Sequence, residues 1–106
     1  MNTIQIVLKK PGFEPVKMRV ENSLANLQAL VDGPIEVIAI DDGILMIVNE
    51  EGKLRGLAPN FMYGKDMIVG TAFFCGLDED EFVDLSDENA YDIMMQFEPT
   101  EELENV

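Results

Sequence analysis

At 106 residues and 47% hydrophobic content, the chain can bury one modest core and reads as a single domain, residues 1–106. Its 21 acidic and 7 basic residues give a formal net charge of -14, a field that repels nucleic acid and anionic membrane and favours cationic partners. Histidine is absent, which excludes Ser-His-Asp and Cys-His chemistry, and Cys75 has no second cysteine to pair with.

The first elements read as a hairpin. Ile4, Ile6 and Leu8 alternate with Gln5 and Lys9, Pro11-Gly12 supplies a turn, and Val16, Met18 and Val20 alternate with Lys17 and Arg19. Lys9, Lys17 and Arg19 are thereby predicted to share a solvated face. Ser23 is a good N-cap for a short helix with Leu24, Leu27, Leu30 and Val31 on one stripe, stopped by Gly33-Pro34. Two Ile/Val-rich runs, 34–40 and 44–48, flank Asp41-Asp42-Gly43, a strong hairpin signal. Both runs are apolar at nearly every position, which predicts strands covered on both faces and a hairpin at the centre of the fold.

Asn49 to Gly52 reads as a turn, Lys53 to Leu57 as an optional short strand, and Phe61 to Lys65 as irregular. Met67 to Cys75 reads as one strand, with Gly70 marking a bulge or a close approach. Leu77 to Asp84 is an acidic loop. Ser86 caps a second helix, Asp87 and Glu88 suit its N-terminal dipole, and Ala90, Ile93, Met94 and Phe97 form its apolar stripe. Pro99 ends that helix, and 99–106 is expected to be a frayed acidic tail. The predicted fold class is α+β: an antiparallel or mixed sheet of about five strands with two helices, in the order β-β-α-β-β-β-α. No apolar run reaches the ~20 residues of a membrane helix, and Met1-Asn2-Thr3 leads straight into a strand pattern, so neither a span nor a signal peptide is expected.

Three stretches are candidates for function. The run Asp78-Glu79-Asp80-Glu81 lacks the alternating oxygen ligands and central Gly of a calcium loop, so no metal is expected there. Asp84, Asp87, Glu88 and Asp92, with the acidic residues that follow, offer an acidic surface on the scale of duplex phosphates. Asn49, Glu50, Glu51, Lys53, Arg55 and Asn60 gather polar groups between two apolar runs, where loops on a rigid sheet often bind. The same residues also suit plain turn chemistry. No acid/base pair stands out among the carboxylates, so the chain is not expected to be an enzyme and no cofactor is expected.

The segment Asn49-Glu50-Glu51-Gly52-Lys53-Leu54-Arg55-Gly56-Leu57 with Pro59-Asn60, preceded by Leu27 to Glu36 and Asp41-Asp42-Gly43 and followed by Ile68-Val69-Gly70-Thr71 and Leu85-Ser86-Asp87-Glu88, resembles the family of domain of unknown function 3846 over nearly the whole chain. The resemblance implies a compact domain from bacteria, phages or mobile elements, and it assigns no catalytic residues. The leading functional expectation is therefore a non-enzymatic, cytoplasmic interaction protein of a phage or mobile element, with a protein partner that the charge suggests is basic. The alternatives are an anti-defence inhibitor whose acidic surface mimics DNA, and a small-molecule binder using the 49–60 loop.

Two physical expectations follow from the pattern. Two helices on one sheet face would leave the other bare, which favours a two-fold homodimer; the alternative is that the Phe61 to Lys65 segment folds over that face. The other expectation concerns charge. Residues 66–106 carry 13 carboxylates and no cation, whereas residues 1–65 carry 8 acidic and all 7 basic residues. Self-repulsion in the acidic half would raise carboxyl pKa values and stabilise the fold on mild acidification or with added salt. Pairing of the two halves would have the opposite sign.

Overall fold

The structure, a computed structural model, describes residues 2–97. The expected tail 99–106 and the Pro99 helix stop lie outside the described residues. The elements are β1 (Thr3–Lys9), β2 (Val16–Glu21), α1 (Leu24–Val31), β3 (Ile35–Asp41), β4 (Ile44–Asn49), β5 (Pro59–Tyr63), β6 (Asp66–Val69), β7 (Ala72–Asp78), β8 (Glu81–Val83) and α2 (Asp87–Met95). The main sheet runs β2-β1-β7-β4-β3, with β8 also on β7, and every pairing is antiparallel. β5 and β6 form a separate two-stranded ribbon. The α+β architecture with two helices is as the pattern predicts, with more and shorter strands. Among the described residues, no helix is long and apolar enough to cross a membrane.

The central hairpin pairs β3 with β4 around Asp42-Gly43, and Gly43 takes the positive φ of 71° that the turn needs. Only β4 has the predicted two-sided burial: all six of its residues are buried. β3 is the sheet edge and is largely exposed, so its continuous apolar character does not reflect double coverage. A bulge between Ala39 and Asp41 bends its end.

The period of two sorts the core into two clusters, one per sheet face. Ile4, Ile6, Leu45, Ile47, Phe73 and Cys75 face α1, which contributes Leu27 and Val31, while Leu24 stays exposed. Val7, Met46, Val48, Phe74 and Leu85 face α2 and the ribbon, which contribute Ala90, Ile93, Phe61 and Ile68. The helices therefore lie on opposite faces, and the β5–β6 ribbon completes the α2 side. The bare face that motivated a homodimer does not exist among the described residues. Phe61 fills it, packing against Phe74 at 6.2 Å and against Phe97 at 5.0 Å, edge-on.

Both helices begin as predicted. Ser23 and Ser86 accept hydrogen bonds from the backbone N–H groups of Asn26 and Asn89. At the α1 C-terminus the left-handed residue is Asp32 (φ 62°), one position before the predicted Gly33. Gly33 has a different duty, because a Cβ there would sit 2.6 Å from Asn49 Nδ2.

The second half differs from the pattern at four places. The run Met67 to Cys75 is two strands. At Gly70 the chain turns with φ 74°, and Leu57 packs so closely that a Cβ would lie 2.8 Å from it. Lys53 to Gly56 is a series of turns, and Phe61 to Tyr63 belongs to strand β5. The acidic loop contains β8, with Asp78 opposite Glu81 across a two-residue turn. β8 exists because β7 pairs with β1 only over Val7 to Lys9. Beyond that, the backbone of Gln5 would be unpaired. The chain after β8 satisfies it: Gln5 N–H donates to Asp84 Oδ1 (2.8 Å) and Gln5 C=O accepts from Leu85 N–H (2.8 Å).

Candidate functional site

The 49–60 segment leaves β4, makes successive turns and enters β5. Asn49 is buried at 4% exposure. Its Nδ2 donates to the carbonyls of Val31 and Asp32, both at 3.0 Å, and its Oδ1 accepts from Glu51 N–H at 2.7 Å. Arg55 reaches the same helix end, donating to the Asp32 carbonyl and pairing with the Asp32 carboxylate at 3.1 Å. A cation at a helix C-terminus opposes the negative end of the dipole. Gly52 packs against Val69, leaving 2.9 Å for a Cβ. The turn is thus bolted to α1 on one side and to β6 on the other.

Asn60 is a second bolt. Its Nδ2 donates to the carbonyls of Lys9 and Gly70, each at 2.8 Å, and its Oδ1 accepts from Lys9 Nζ at 2.9 Å. Asn60 thus makes a longer-range latch in place of plain turn chemistry. Lys9, predicted to be solvated, is only 8% exposed. Its other contacts are the Lys10 carbonyl (2.8 Å) and the Phe97 ring, 5.6 Å to the centroid. Burial lowers its pKa from the usual lysine value.

Of the six loop residues singled out, Asn49, Arg55 and Asn60 are therefore committed to holding the fold. Glu50 and Glu51 are exposed, and Lys53 is ion-paired with Asp66. Missed by sequence reasoning, Leu54 stands at the tip of the bolted turn with 92% exposure. A leucine held out by a rigid turn has no folding role, and its only sequence signal was an apolar residue inside a polar turn. Beside it opens a cleft of about 210 Å³ with Ile38, Val48 and Ile68 at its apolar floor and Glu36, Glu50 and Lys53 at its rim. That is smaller than the ~300–1,000 Å³ typical of small-molecule sites.

The acidic candidates fare differently. Arg19 pairs with Asp84 at 3.1 Å and Lys17 with Asp87 at 3.3 Å, so the first half of the chain does supply cations to the second. Glu88 and Asp92 are exposed. A DNA-like array from these four would present two charges already countered. Among the described residues, no three metal-ligating side chains gather. Cys75 is fully buried, and burial pushes its thiol pKa up to about 12, so it is an inert core residue.

The same pairs set an acid response. The Asp84 carboxyl is held below its usual range first by the Gln5 backbone N–H and then by Arg19; that of Asp87 is held low first by the Gln5 side-chain amide and then by Lys17. A carboxyl with a depressed folded pKa stabilises above its unfolded pKa of ~3.9, and that contribution is lost as pH falls through the folded value. The expected result is a melting temperature that drops below about pH 4. The drop should be smaller in a Lys17→Ala/Arg19→Ala double variant. Both pairs are solvent-screened, so the effect is modest. A melting temperature that rises on acidification to about pH 3.5 would show that self-repulsion outweighs the pairing.

Comparison with curated proteins and with solved structures yields no match. The family model described as Domain of unknown function (DUF3846) matches residues 4–98, nearly the whole chain and all of the geometry above, and the chain belongs to that family.

Proposed function

We propose that the chain is a non-enzymatic interaction module that docks a partner protein on the surface formed by Leu54, the adjoining cleft and the exposed strand β3. The observation that carries this reading is Leu54 itself, 92% exposed on a turn fixed at both ends by Asn49, Arg55 and Gly52. An apolar side chain presented on a rigid support loses little entropy on docking and can serve as a central contact. Met67 on β6, exposed and lining the same cleft, extends the apolar surface. The carboxylates of Glu36 and Glu50 line it and favour a cationic partner. On the phage or mobile-element background that the family resemblance implies, that partner is a host protein, met in the cytoplasm.

Leu54→Asp tests the reading. The residue has almost no buried contact to lose, so the melting temperature should stay within about 2 °C of the parent. Capture of host proteins from lysate, scored by quantitative mass spectrometry, should lose its most enriched component. Unchanged capture by the variant would refute the proposal.

A further inference from the structure

We infer that the outer edge of β3 is a strand-addition site, and that its occupant is an extended segment of a partner protein with basic residues flanking a short apolar stretch. This rests on the interaction reading above and specifies its mode. Backbone parity supplies the first argument. Glu50 N–H donates to the Pro34 carbonyl at 2.8 Å, so the bonded pairs of the β3–β4 ladder are Pro34 with Glu50, Glu36 with Val48 and Ile38 with Met46. The N–H and C=O groups of Ile35, Val37 and Ala39 therefore point away from β4. No partner meets them among the described residues.

The opposite edge supplies the second argument. Asn22 N–H donates to the Asn2 carbonyl at 2.8 Å, which makes Lys17, Arg19 and Glu21 the outward-facing positions of β2. Each is charged, the usual device against edge pairing. On β3 the corresponding positions are Ile35, Val37 and Ala39, with no charge among them. One edge of this sheet is guarded and the other is left open.

Charge chooses the occupant. Residues 34–42 contain Glu36, Asp41 and Asp42 and no basic residue, and the whole chain carries -14. Pairing β3 with its own copy would set like charges together, whereas a strand with lysine or arginine at its ends meets opposite charge at both ends of β3. Side chains of an added strand that face the ribbon repeat every ~6.8 Å. Two clefts lie along that side, one at Ile38 and Leu54, and one of about 180 Å³ at Ile40, Tyr63 and Phe97. They suit alternate apolar side chains of one added strand.

The test is selection of random dodecapeptides, displayed on phage, against the full chain at low salt. Enriched peptides should be proline-free in the middle and basic at the ends. On binding the synthetic peptide, amide hydrogen exchange should slow at Val37 and Ala39, whose N–H groups are free in the unbound protein. Val37→Pro removes an outward N–H without breaking the β4 ladder, and should weaken the peptide by roughly tenfold or more. Val37→Lys, which keeps the backbone, should weaken it through charge if the proline variant melts early. Peptides that bind both Val37 variants like the parent, yet fail on Leu54→Asp, would overturn strand addition and leave the interaction reading intact. Acidic consensus peptides, or none enriched, would overturn the inference. So would a concentration-dependent dimer abolished by Val37→Pro, which would give the edge to a second copy.

Discussion

Asn49→Ala is expected to lower the melting temperature by roughly 10–15 °C, corresponding to about 3 kcal/mol. Three hydrogen bonds are lost at a site with 4% exposure. A typical bond contributes about 1 kcal/mol net, but the asymmetry matters more: the carbonyls of Val31 and Asp32 stay behind without their donor. A cavity the size of the amide adds to the cost. Water cannot repair the Val31 carbonyl easily, because that bond is buried. Asn49→Asp sharpens the test, since it keeps the shape, removes both donors and sets a carboxylate against the negative end of α1. It should cost at least as much as alanine. A loss under about 3 °C for both variants would mean that the turn holds α1 through Arg55 alone. Thermal denaturation followed by circular dichroism suffices.

That prediction also shows where sequence reading succeeds and where it stops. The β3–β4 hairpin and both helix starts were legible because each depends on a local signal: Gly43 in the turn, and Ser23 and Ser86 before apolar periodic runs. The family segment 49–60 was also conspicuous, but its meaning was not. Asn49, Arg55 and Asn60 read equally well as ligand-binding groups, and only their partners 17 to 51 positions away make them bolts. Lys9 was misplaced for a related reason. The alternation in Gln5-Ile6-Val7-Leu8-Lys9 puts Gln5 and Lys9 on a face predicted to be wet, yet Val7 sits on that face and is fully buried. A valine between Gln5 and Lys9 was the available sign that both faces of β1 are covered.

Likewise, Met67 to Cys75 carried its own warning in Gly70. What a local pattern could not supply was Leu57 packed against that glycine, which fixes the turn and splits the run between two sheets. β8 had no local signal at all, being acidic and three residues long. It is a strand because β7 and β1 diverge and the gap must be filled. The open β3 edge, in turn, becomes visible only when strand order and hydrogen-bond parity are known together.

Asn60→Ala is expected to reduce stability by about 2–3 kcal/mol, visible as a fall of roughly 8–12 °C in melting temperature. The side chain joins the end of β1, through both the carbonyl and the ammonium of Lys9, to the Gly70 turn. Its removal loosens the ribbon that carries Phe61 and Ile68 into the core, and it leaves Lys9 with one neutral acceptor fewer. The second consequence gives a signature that a simple packing defect would lack. Lys9 has a folded pKa below its unfolded value, so the folded state binds fewer protons than the unfolded state between those two values. Its burial cost is therefore greatest at low pH and is relieved as pH rises through the folded pKa. Losing the Asn60 acceptor disfavours the ammonium further, so the variant should regain more stability than the parent as pH rises toward the usual lysine pKa of ~10.4. Lys9→Met removes the group and should flatten that difference, in the parent and in the Asn60→Ala background alike. Parallel melting curves for the four proteins separate the outcomes. If Asn60→Ala and the parent gain equally toward pH 10, the latch acts by hydrogen bonding to the backbone alone and Lys9 is not part of it.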